Sequence, residues 1–300
     1  MHVTIAGIDF TISSKSEILL SKLPDIYRPF LKDGRYQQKP LPFMVSVELQ
    51  DMPETGKMKK LFDTGKAWTM FTLGKEYFIV LNPDAGQEGP VWITRFSPAA
   101  SGATIYCGSA LITKNGGGPP EVSNPFRYPV DQLLLIYILS ENSGALIHAS
   151  CIGINGAGYI LPGRSGAGKS TLSRLFAAEQ KALLLSDDRA AVRKIGNSFR
   201  VFGTPWAGDA KIAENADLPL QGIFFIRHGE NNAIRELSAR ETIERLMAVT
   251  SIPWFDKDAM LKVLTCCEDL ASKVPAYELH FRPDAEAVTF LEDFIARNNI

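Results

Sequence analysis

The chain has 300 residues, of which 45% are hydrophobic and 22% charged, with a net charge of -1. That balance belongs to a globular protein with a core to bury, and it supplies no bulk charge for holding nucleic acid or an anionic membrane. The longest apolar runs, such as residues 133–139, fall far short of the ~20 residues of a spanning helix, and the N-terminus has neither the basic nor the apolar region of a secretory signal.

Up to about residue 115 the pattern is one of short β-type runs. They cover residues 3–12, 44–49, 68–73, 77–81, 91–96 and 104–107, with Gly74-Lys75 as a tight hairpin turn. In this part only residues 17–23 read as helical. Breakers then concentrate at residues 115–121 and at Asn124-Pro125, which suits a linker. We therefore divide the chain into a β-rich domain, 1–120, and a second domain, 121–300.

The second part alternates. Residues 130–140 have the apolar density of a buried helix and 146–154 read as a strand. Asn155-Gly156 is a type I′ hairpin signal, and 158–161 form the returning strand. A glycine-rich segment follows, then a helix from 169 to about 179. Residues 182–186 are a short apolar strand ending in Asp187-Asp188, and a hairpin is expected around Gly196-Asn197. Residues 220–227 read as a strand, 239–250 as an amphipathic helix, 277–281 as a strand and 284–298 as a closing helix. Helices mixed with a β-hairpin predict an α/β (α+β) protein built on a mixed sheet.

Four cysteines complete the inventory: Cys107, Cys151, Cys266 and Cys267. Adjacent Cys266-Cys267 lack zinc-knuckle spacing, and Cys151 sits in an apolar strand pattern. Buried free thiols in a reducing cytoplasm are the expectation.

The chemistry is concentrated at Gly163-Arg164-Ser165-Gly166-Ala167-Gly168-Lys169-Ser170, a Gly-x4-Gly-Lys-Ser pattern between a strand and a helix. Glycines at 163, 166 and 168 allow positive φ and let backbone amides converge on an anion. The helix N-terminus adds partial positive charge. Lys169 would reach the β- and γ-phosphates, Ser170 would ligate magnesium, and Thr171 would bond the α-phosphate. The pattern predicts a site for ATP with Mg2+.

Asp187-Asp188, at a strand tip, are placed to serve that site, one on the metal and one on an attacking hydroxyl. His148 lies in a strand paired with the one feeding the loop; by pattern alone, a satisfied core histidine is its commoner fate. Asp209 and Lys211 sit in a Gly- and Pro-punctuated loop suited equally to a lid or to plain surface. Arg227 and Arg235 carry charge of the right sign for phosphate, although most arginines are simply solvated.

Together, His148, the loop 163–170 and Asp187-Asp188, in this order and at this spacing, resemble the catalytic domain of the HPr serine kinase/phosphorylase family, which shares its core with phosphoenolpyruvate carboxykinase. The likeness is good over residues 128–215 and loose elsewhere. It implies a P-loop catalytic domain, with Lys169 and Ser170 on phosphates and magnesium, Asp187 as general base for a serine hydroxyl, Asp188 as metal partner and His148 in the site. Thr171 stands where that family usually carries glutamate, and residues 203–209 replace its Leu-Glu-x-Arg-Gly segment. The chain is thus more similar to the divergent members, some of which phosphorylate serine on small ribosomal peptides.

The implied activity is ATP- and magnesium-dependent phosphorylation of a serine on a peptide or small protein, the first domain docking the acceptor. A small-molecule or carboxykinase-like kinase, and a non-catalytic ATP-binding switch, remain as alternatives. Monomer and homo-oligomer are both open.

Overall fold

In a computed structural model, residues 1–14, 17–31, 39–49, 51–65, 67–82, 89–97, 101–113, 118–179 and 182–300 are described. Among them, no helix is long and apolar enough to cross a membrane. The chain forms two compact units. Of the described residues, one holds those within 1–3, 8–31 and 40–138, and the other holds 4–7, 39 and those within 139–300.

The first unit is built on a mixed sheet. Strand Leu41–Glu48 pairs in parallel with Ile8–Ser14 on one side and Gly102–Cys107 on the other. From there Trp92–Phe96, Glu76–Leu81, Trp68–Leu73 and Lys59–Asp63 follow as an antiparallel meander. The run read as one strand over 3–12 is two strands, His2–Ile5 and Ile8–Ser14, because Ala6 and Gly7 both take left-handed φ, 53° and 70°.

The helix expected over 17–23 does not form. Leu19-Leu20 instead pairs in parallel with Glu121-Val122, fixed by Leu19 N–H to the Pro120 carbonyl at 3.0 Å and Ser21 N–H to the Val122 carbonyl at 2.9 Å. Non-local pairing overrides local propensity here.

The units divide between Ile138 and Leu139 and not near residue 120. The cause is helix Val130–Glu141, whose Tyr137 ring lies 5.4 Å from Tyr77 and 5.2 Å from Phe96, anchoring most of the helix in the first unit. Residues 115–117 of the anticipated linker lie outside the described residues.

The second unit is organised by two long strands, Gly144–Ile154 and Asp217–His228. Residues 144–148 pair with Arg189–Ile195, while 149–154 pair with Ala157–Pro162, both antiparallel. Ser198–Phe202 links Arg189–Ile195 to Asp217–His228, which in turn pairs in parallel with Ala157–Pro162, so the pairing closes on itself. Ala276–Phe281 adds a parallel neighbour, and Ala233–Glu236 an antiparallel one beyond it. The sheet is mixed, as the hairpin at Asn155-Gly156 requires; both residues have positive φ, 51° and 81°.

Alternation along the strands makes two apolar layers. Ile223 and Phe225 face a cluster with Val263, Cys267 and Leu270, from helix Lys257–Lys273. Phe224 and Ile226 face the other, with Leu172 and Phe176 of helix Lys169–Glu179 and Leu291 and Ile295 of helix Glu286–Asn298. All four cysteines are free and buried. Burial pushes the thiols up, Cys107 and Cys266 to about 12 and Cys267 to about 11.

Candidate phosphate-binding site

The glycine-rich loop leaves strand Ala157–Pro162 and enters helix Lys169–Glu179 at Lys169. Gly166 and Gly168 have positive φ, 81° and 99°, the region that an L side chain avoids. Gly163 differs from the expectation: it lacks positive φ and is glycine for want of room, since a Cβ there would stand 2.8 Å from the Ala167 Cβ. Gly168 is constrained twice, because a Cβ would also lie 2.6 Å from the Phe281 ring and 2.8 Å from the His228 ring. The loop tip, Arg164-Ser165-Gly166, is exposed, while Ala167, Gly168, Ser170 and Thr171 are half-buried.

Lys169 is buried, and its ammonium donates to the Gly163 carbonyl at 2.9 Å and the Arg164 carbonyl at 3.3 Å. Burial pulls its pKa down, opposed by the charge of Asp188. The ammonium therefore belongs to the loop and shares a field with the aspartate turn.

That turn ends strand Leu183–Ser186 and is tied down at every carbonyl. The Asp187 carbonyl accepts from the Ser150 hydroxyl at 3.1 Å, and that of Asp188 from Ala149 N–H at 3.0 Å. The Arg189 carbonyl accepts from the Ser186 and Thr204 hydroxyls, at 2.7 and 2.6 Å.

The two carboxylates differ. Asp188 is partly exposed, and its Oδ1 lies 2.8 Å from His148 Nε2 while its Oδ2 lies 3.3 Å from Arg189 Nε. Burial raises its pKa, but the His148 hydrogen bond and charge, with Arg189 and Lys169, outweigh that and hold it below the ordinary value. Asp187 is 1% exposed. Its Oδ1 accepts N–H bonds from Gly208 at 2.9 Å and Ile212 at 3.2 Å, and its Oδ2 accepts from Ala210 at 2.7 Å. A carboxylate so enclosed and so fully bonded does not suit the general-base role anticipated for Asp187.

His148 meets the site through Asp188, with its backbone N–H on the Val249 carbonyl at 2.7 Å. Asp209 and Lys211 are exposed on the loop that Asp187 holds, and Lys211 has positive φ, 56°. Arg227 lines a cleft of about 610 Å³ together with residues 163–167 of the loop. Arg235 is elsewhere, paired with Glu241 at 2.9 Å.

His228 and Arg245 line the same cleft, and the sequence reading does not single them out. A signal exists for His228. It ends a strand parallel to the one feeding the loop, and ligands of α/β sheets gather at such carboxyl ends.

Ser170 and Asp188 are hard oxygen donors of the kind magnesium takes. Among the described residues no group of three or more His, Cys, Asp or Glu forms a metal cage. Magnesium suits such a sparse protein donor set, because phosphate oxygens and water complete its shell.

No family model matches the chain. No curated protein matches it in sequence. Among solved structures, the HPr(Ser) kinase/phosphatase from Coxiella burnetii aligns over 52% of this chain and 99% of its own, at 12% identity and a TM-score of 0.31. A likeness of that size carries no argument about activity.

Proposed function

We propose that this protein is an ATP- and magnesium-dependent kinase that phosphorylates a serine hydroxyl on a peptide or small protein. The observation that carries this reading is the strand–loop–helix at 157–179, with positive φ at Gly166 and Gly168 and the Lys169 ammonium in the field of Asp188. Loop amides and Lys169 hold the polyphosphate, which leaves positioning and charge neutralisation as the main sources of rate. Bound magnesium would neutralise the β- and γ-phosphate oxygens, with the Ser170 hydroxyl as a direct ligand. Asp188, with one oxygen on His148 and the other on Arg189, would help hold the ion.

The proton acceptor is the His148–Asp188 pair. With Nε2 toward Asp188, the Nδ1 of His148 is left to receive the hydroxyl proton, and the carboxylate stabilises the resulting imidazolium. The acceptor oxygen bonds to the γ-phosphorus, the bond to the β–γ bridging oxygen breaks, and ADP leaves. Incubation with γ-labelled ATP, magnesium and a panel of serine-containing peptides tests this. Label on a peptide serine, absent with Lys169→Ala, is the expected result; a panel left unlabelled by folded, ATP-binding protein overturns it.

A further inference from the structure

The adjacent aspartates have opposite surroundings. Asp188 faces the His148 ring and the Arg189 guanidinium at the mouth of the site, whereas the Asp187 carboxylate is bonded to amide donors from another segment. Those donors alternate along the chain at Gly208, Ala210 and Ile212. The intervening residues, Asp209 and Lys211, are exposed. An anion at the centre of three N–H groups is an arrangement usually met with a bound ligand; here the chain supplies the anion itself.

The held segment abuts the site. A Cβ on Gly208 would lie 3.1 Å from both Asp187 Oδ2 and the Asp188 Cβ, so its backbone rests against the aspartate turn. On its other side the segment is pinned by Glu214 N–H on the Leu185 carbonyl at 2.9 Å.

We infer that Asp187 is a positioning residue: its carboxylate clamps residues 208–212 as a rigid wall beside Asp188, from which Asp209 and Lys211 read the acceptor chain. The acceptor part of this statement rests on the kinase reading; the clamp itself does not. With Oδ1 on two amides and Oδ2 on a third, and only 1% of the residue exposed, the Asp187 carboxylate is turned to the segment it holds. Its effect is on where the acceptor sits.

The test compares wild type, Asp187→Asn and Ala210→Pro. The first variant keeps one acceptor oxygen and turns an NH2 group toward amide donors, while the second removes one donor and leaves Asp187 intact. Amide hydrogen exchange without nucleotide should quicken at residues 208–212 by about tenfold or more in both variants, the range set by losing a hydrogen bond to a charged group. Exchange over 163–170 should stay unchanged. In steady-state assays both variants should raise the acceptor KM by about tenfold, with kcat and the ATP KM changed far less.

Unchanged exchange at 208–212 in Asp187→Asn overturns the clamp. A fall in kcat of about 10²-fold in Asp187→Asn, with Ala210→Pro silent, marks Asp187 as the base and overturns it equally. Should wild type label no acceptor, the kinase reading fails and the exchange data still decide the clamp. If Asp187→Asn does not fold, Ala210→Pro and a charge reversal at the exposed Lys211 carry the same KM test.

Discussion

The glycine-rich loop and the aspartate turn stand at the same site but are built on opposite plans. The loop gets its shape from backbone conformations only glycine takes easily, and its tip is exposed. The turn gets its shape from hydrogen bonds that claim every carbonyl from 187 to 189 and both oxygens of Asp187. A region shaped by φ angles spends few polar groups on its own shape, here the Lys169 ammonium and the Ala167 N–H, whereas one shaped by side-chain bonding has already used most of its own. Asp188, held among His148, Arg189 and the field of Lys169, combines a fixed backbone with an accessible charge.

The largest effect should come from the loop. Lys169→Ala should lower phosphotransfer by about 10²–10³-fold and remove the rise in melting temperature with ATP; undiminished stabilisation would separate the loop from nucleotide binding altogether. Asp188→Asn should come next, reducing turnover by about 10²-fold in single-turnover assays while ATP stabilisation persists. Equal loss of ATP binding in both variants would erase the distinction between the two regions.

The glycines sharpen the contrast within the loop. Gly168→Ala meets both a positive φ and the rings of Phe281 and His228, and should cost about 2 kcal/mol or more in urea unfolding. Gly166→Ala meets nothing within 4 Å and should cost about 1 kcal/mol, from its positive φ alone. The smallest effect concerns pH. Asp188 has its folded pKa depressed, so its contribution is present above the ordinary carboxylate value and is lost as pH falls through the folded one. Below about pH 4 the urea midpoint of wild type should fall more steeply than that of Asp188→Asn.

Legibility follows the same division. The hairpin at Asn155-Gly156, the loop and helix Lys169–Glu179 can be read directly, because glycines, Asn-Gly and an apolar period act locally. Helix Lys257–Lys273 escapes the sequence reading, although Asp256 caps it through Asp258 and Ala259 N–H groups and Val263, Cys267 and Leu270 form its buried stripe. Its interspersed Lys, Glu and Asp residues dilute the period. Leu19-Leu20 reads wrongly as helix because its partner lies about a hundred residues on. Which of Asp187 and Asp188 faces solvent is invisible for the same reason: residues 208–212 decide it, and no local pattern announces them.

The four buried thiols have a practical consequence. Alkylating agents attack thiolates, and burial at these positions suppresses ionisation as well as access. Native protein should therefore resist iodoacetamide, and each label acquired would time-stamp an opening event. Cys107 lies in the first unit, and Cys151, Cys266 and Cys267 lie in the second. Mapping the modified peptides over time would thus serve as a pair of internal clocks, one for each half of the chain, without any engineered probe.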